Sequence, residues 1–141
     1  MMINDIIKYI LNKTGKLPIY KLHKLLYYCQ AWSLVWDKKS LFRDRIEAWC
    51  GGPIVVSFYK QTEGIFVVSK WKGDSRKLSR EQKETINAVL DCYGDKDSQW
   101  LVDLSRNEDP YKITRKGMPE SERGHRKITN KIMRDYYRSL C

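Results

Sequence analysis

The sequence predicts a mainly α (α+β) fold, a compact helical domain of about six helices with a small antiparallel β-sheet. Apolar residues recur at helical spacing through most of the chain, capping signals precede those segments, and only two short stretches carry strand character.

Each element follows from its residues. Ile3, Ile6, Ile7, Ile10 and Leu11 lie at helical spacing over residues 3–13, and Gly15 ends that helix. Pro18 opens a second helix, whose stripe of Leu22, Leu25, Leu26, Cys29 and Trp32 runs to about Trp36 and reads as the central core helix. Residues 45–50 alternate as a short strand. Gly52 then serves as N-cap and Pro53 as first helical residue of a short helix through Val55, Phe58 and Tyr59. Trp49 and Phe58 are expected to anchor the two sides of that corner in the core. Residues 64–71, GIFVVSKW, are rich in β-branched and aromatic side chains and predict a second strand, pairing with the first.

Ser79 and Gln82 form a capping-box pattern before a helix with Ile86, Val89, Leu90 and Tyr93 on one face, which stops at Gly94. Asp97 or Ser98 caps a helix holding Trp100, Leu101 and Leu104, and Asp109 followed by Pro110 restarts a short one. Residues 116–124 are a loop. The last helix presents Ile128, Ile132, Tyr136 and Leu140 to the core.

A chain of 141 residues fits a single domain over 1–141, without repeats or a dividing linker. No apolar run approaches the roughly 18 residues that span a bilayer. The first residues lack the order of a signal peptide, so a cytoplasmic location is expected. Cys29, Cys50, Cys92 and Cys141 are scattered without the close pairing of zinc knuckles and read as small, mostly buried residues, with Cys141 free at the end. His23, on the second helix, reads as a partly exposed packing residue, and neither it nor His125 stands in a recognisable relation to a nucleophile.

The Gly51-Gly52-Pro53 run raises phosphate binding but fails both tests for it. There is no GxxxxGK[ST] and no GxGxxG, and Pro53 removes an N–H that such a loop would use. No catalytic constellation, cofactor motif or metal-ligand spacing emerges, and an enzyme is not expected.

Net charge is the strongest compositional feature, at +10. It implies affinity for a polyanion or an acidic protein. The charge is spread, with ten Lys/Arg against four Asp/Glu in residues 1–60 and ten against five in 106–141. Two groups are dense enough to name as candidate partner-binding residues. One is Lys70, Lys72, Arg76, Lys77 and Arg80, balanced only by Asp74. The other is Lys127, Lys131, Arg134 and Arg138, at spacings of four, three and four along the last helix. An ordinary solvated helix face has the same pattern.

Residues 21–34, KLHKLLYYCQAWSL, with Leu41-Phe42, Glu47-Ala48-Trp49, Gly52-Pro53 and Phe58-Tyr59, resemble the Panacea domain, a family also described as phage-associated GepA-like or SocA-like proteins. Leu78-Ser79, Leu104-Ser105, Glu108-Asp109-Pro110-Tyr111 and residues 128–137 look like its later landmarks. Arg106 stands where the family commonly has histidine, Tyr111 where it often has tryptophan, and Gly51 where it usually has an aromatic or polar residue. The resemblance implies an antitoxin that neutralises a cognate toxin protein, encoded adjacently, by direct binding and without catalytic residues. Two other readings stay open from the sequence: a basic nucleic-acid-binding regulator, and a phage-encoded adaptor or inhibitor of a host protein. Oligomeric state is left open.

Overall fold

Residues 2–140 are described by a computed structural model, so the expectation for Cys141 lies outside the described residues. Helix α1 (Met2–Thr14) buries Ile3, Ile6, Ile7, Ile10 and Leu11, and a two-residue strand β1 (Leu17–Pro18) leads into α2 (Ile19–Trp36). Strands β2 (Ile46–Trp49) and β3 (Gly52–Val55) form a hairpin, followed by α3 (Val56–Gln61) and β4 (Val67–Val68). After a 3-10 turn at Ser75–Lys77 come α4 (Arg80–Tyr93), α5 (Ser98–Asn107), α6 (Asp109–Thr114) and α7 (Asn130–Ser139). The fold is mainly α with small two-stranded antiparallel sheets.

Helix α2 is the hub, packed by α4, α5, α7 and β3. It is apolar nearly all round, as a helix enclosed by neighbours must be, and its Leu22, Leu25, Leu26, Tyr27, Tyr28 and Cys29 are fully buried. The polar residues on it serve the architecture. Gln30 accepts from the backbone N–H of Leu41 (2.9 Å) and Phe42 (3.1 Å) and donates to Phe42 O (2.9 Å), fixing the corner after the helix. Lys21 Nζ donates to Gly94 O (2.7 Å), tying α2 to the end of α4.

The capping expectations at Ser79 and Asp97 hold: Ser79 and Gln82 bond reciprocally, and Asp97 accepts from Trp100 N. The cap of α6 is Glu108, one residue earlier than the Asp109 expected.

Five expectations are corrected. Gly52 and Pro53 do not start a helix. They pair with Trp49 and Ala48 in the hairpin, proline being tolerated because β3 is an edge strand, and α3 begins only at Val56. The 64–71 stretch shortens to Val67–Val68 and pairs with Leu17–Pro18, not with β2. The far edge of β2 is occupied by residues 123–128: Ala48 N donates to Arg126 O (2.9 Å), Cys50 N to Arg123 O (2.8 Å), and Ile128 N to Ile46 O (2.9 Å). The last helix starts at Asn130 and buries Met133 and Tyr137. Ile128 is buried before the helix, and Leu140 is exposed. Finally, His23 is buried, its Nδ1 accepting from Val55 N (3.1 Å), whereas Cys50 and Cys92 are exposed.

Candidate partner-binding surface and the buried polar centres behind it

The first predicted basic group lies along the chain from β4 to the start of α4. This stretch has little regular structure, yet it is fixed to α1. Trp71 Nε1 donates to Asn4 Oδ1 (3.1 Å), and Asp74 N donates to the buried Asp5 Oδ1 (2.9 Å). Gly73 lies so close that a Cβ there would overlap the Asn4 carbonyl. Trp71 also leans on the buried Phe58, with ring centroids 5.3 Å apart.

The result is an open groove of about 690 Å³ lined by Lys70, Trp71, Lys72, Asp74, Lys77 and the start of α1. Lys70, Lys72 and Lys77 form no ion pair with any described residue. Arg76 is held by Asp74 (3.0 Å), and Arg80 by Glu84 one helical turn on (3.0 Å). Thus three of the five predicted side chains line one groove with their charges unpaired, and two are spoken for by neighbours.

The second group is not one stripe. Lys127 precedes α7 and bridges to Glu47 through its backbone. Lys131, Arg134 and Arg138 surround a single carboxylate, Asp135, at 2.8, 3.8 and 3.7 Å. Lys131 and the other two cations hold the Asp135 carboxyl below the usual carboxylate range. This face is therefore partly neutralised from within.

Sequence reasoning missed two buried polar centres. Lys24 has 0% exposure. Its ammonium donates to Pro53 O (3.1 Å) beneath the hairpin, with Gly52 and Ser105 beside it. Burial, and then the nearby Arg106 guanidinium, bring its pKa down to about 7. Burial, then Lys24, likewise lowers His23 to about 3, so that imidazole stays neutral. The signal available in the sequence was a lysine inside a helix with no polar face, where it has no route to solvent.

The other centre is Glu108. One of its carboxylate oxygens accepts from both Tyr28 Oη (2.7 Å) and Tyr137 Oη (2.8 Å), and Tyr27 and Tyr137 share a further bond (3.0 Å). Burial raises the Glu108 pKa while the two tyrosine bonds oppose the rise. The same burial holds the Tyr28 phenol above its ordinary range. Tyr28 stacks on Tyr93 with centroids 4.1 Å apart. This cluster joins α2 and α7 to the α5–α6 junction at Glu108, with Tyr93 of α4 stacked against it.

A third feature also escaped the reading. Phe66, at the tip before β4, is 80% exposed, and Ile65 and Val67 on either side of it are exposed as well. A run of four apolar residues cannot all face inward from a two-stranded ribbon, which was the clue.

The arrangement separates scaffold from surface. Lys21, Lys24, Tyr28, Gln30, Leu41, Phe42 and Glu47 are consumed by internal bonds and packing: Glu47 accepts from Arg45 (2.6 Å) and Trp49 (2.8 Å), and Arg123 lies 3.8 Å over the Trp49 ring. Among the described residues no three His, Cys, Asp or Glu side chains converge as a metal-binding group. Among the same residues no helix is long and apolar enough to cross a membrane. Comparison with curated proteins and with solved structures returned no match. The family described as Antitoxin SocA-like, Panacea domain, matches residues 22–112, more than half of the chain, and the chain belongs to that family.

Proposed function

We propose, starting from a chain that belongs to the SocA-like Panacea family, that it is the antitoxin of a toxin–antitoxin system and neutralises its cognate toxin by direct protein–protein contact. Family membership over residues 22–112 carries this reading. Within it, residues 1–141 act as one Panacea-like unit in the cytoplasm, the toxin is encoded beside it, and no catalysis is required of the chain. The residues that make the family recognisable are spent on the fold, so the partner is met by surface residues. The Lys70, Lys72 and Lys77 groove is the favoured basic contact, because these lysines form no close ion pair with any described residue, Asp74 acting on Lys77 only at longer range, and a complementary acidic face would engage them. The α7 cations are a weaker candidate, since Asp135 already engages them.

Co-expression tests the reading. The protein encoded beside this chain should arrest growth alone, be tolerated when this chain is present, and co-purify with it. A neighbour that is harmless alone, or toxicity that persists without complex formation, would refute the proposal. A tight complex with nucleic acid whose affinity falls steeply with salt would instead favour a regulator.

A further inference from the structure

Phe66 is exposed on a backbone that is held in place. Ile65 N donates to Thr62 O (2.9 Å), and Ile19 N donates to Phe66 O (2.8 Å). Val67 and Val68 are laddered to Pro18 and Leu17. Thr62 is itself buried, its hydroxyl donating to Phe58 O (2.7 Å). A large aromatic ring is thus presented to water by an ordered support, and docking it would order little additional chain. Tyr20, next after Ile19, is exposed too.

The surroundings of this crest are basic. Lys16 immediately precedes β1, Lys60 lies at the end of α3, and Lys70 follows β4; all three are exposed and none has an ion-pair partner among the described residues. Glu63 is the acid in the same stretch. Lys70 leads directly into the groove with Lys72 and Lys77.

We propose that the Ile65–Phe66–Val67 crest is the apolar anchor with which this chain docks a protein partner whose own site is an apolar pocket rimmed by carboxylates. The inference rests on the antitoxin reading and takes that partner to be the toxin. A large buried anchor at the centre of an interface, with a polar rim around it, is where binding energy concentrates. Charge selects the occupant. A second copy of this chain, related by a two-fold axis, would set the lysines of one crest against those of the other. An acidic partner pairs with them.

The test titrates the full chain against the purified protein encoded beside it, by calorimetry. Phe66→Ala should weaken binding by about tenfold or more, and Phe66→Glu further, with thermal midpoints unchanged. Trp100→Ala, which removes an exposed aromatic elsewhere, should stay within about twofold. If wild type binds while both Phe66 variants bind equally well, the crest proposal is wrong and the antitoxin reading survives. If wild type itself does not bind, both fall. Light scattering and sedimentation with phosphatidylserine vesicles complete the experiment. Self-association or vesicle binding that is lost in Phe66→Ala, with affinity for the neighbouring protein intact, would reassign the crest to a second copy or to a lipid surface.

Discussion

A methyl group added to Gly52 would lie 2.9 Å from Lys24 Cε and 3.3 Å from its Nζ, so the bare α-carbon of Gly52 is what lets a lysine ammonium sit under the hairpin. The backbone there has φ of +107°, which disfavours any side chain independently of the space. The double glycine is therefore asymmetric. Gly51 is exposed, and a Cβ on it would meet nothing within 4 Å.

Gly52→Ala should destabilise the protein by about 2 kcal/mol or more, combining backbone strain with the clash at Lys24. Gly51→Ala should stay within about 0.5 kcal/mol. Urea midpoints of the two variants check the contrast; equal effects would mean that the Lys24 contact is not limiting.

Lys24 predicts a pH dependence with a definite sign. Its folded pKa of about 7 lies below its ordinary 10.5, so between these values the unfolded chain binds the extra proton. Stability attributable to Lys24 therefore rises with pH across that window, and below it the cost of burying the ammonium is constant. Lys24→Met should abolish the rise between pH ~7 and ~9 and equal or exceed wild type at pH ~6. Parallel slopes for the two proteins would show that Lys24 finds a counter-charge in solution. His23 acts in the same direction at lower pH, where stability should fall as pH drops from 6.5 toward about 3.

Glu108 is expected to separate charge from hydrogen bonding. Both tyrosines donate to one oxygen, which the amide oxygen of Gln can replace. Glu108→Gln should cost less than about 1 kcal/mol, and Glu108→Ala about 2–4 kcal/mol, because two buried hydroxyls lose their acceptor. Thermal denaturation distinguishes the two.

Arg115 is buried and donates to four carbonyls, those of Ala48 (2.9 Å), Arg123 (3.0 Å), Pro119 (3.0 Å) and Glu122 (2.6 Å). A lysine cannot reproduce that fork. Arg115→Lys should speed tryptic cleavage within 116–127 by roughly tenfold while the rest of the chain stays protected. Unchanged cleavage would show that the loop is held by other contacts.

The two basic groups should behave differently toward the partner. Charge reversal at Lys70 and Lys72 should weaken association by about tenfold, mostly through the on-rate. Lys131→Ala with Arg138→Ala should change it by less than about threefold, since those side chains already face Asp135. Surface plasmon resonance at two salt concentrations reads both effects.

The helices were legible because their signals are local: spacing of apolar residues, the Ser79–Gln82 box, and Asp97 as a cap. What escaped depends on contacts distant in sequence. Whether Gly52-Pro53 extends a strand or starts a helix is decided by the register against Ala48 and Trp49. Val67–Val68 pairs with Leu17–Pro18 because β2 is enclosed on both sides. The basic residues were identifiable as a group, but not their pairing: Asp135 was within the last helix all along, and only rotamers reveal that three cations turn toward it. Phe66 did not stand out, because strand composition does not say which positions a short ribbon leaves outside.

Residues 123–128 run along the edge of β2, and they lie beyond the segment that defines the family match. A fragment trimmed to 22–112 would leave the Ala48 and Cys50 amides without acceptors and turn an interior strand into an open one. Such an edge is a template for pairing with other chains. The boundary drawn by sequence similarity is thus not a cutting site, and insolubility of a trimmed fragment would say nothing about the intact protein.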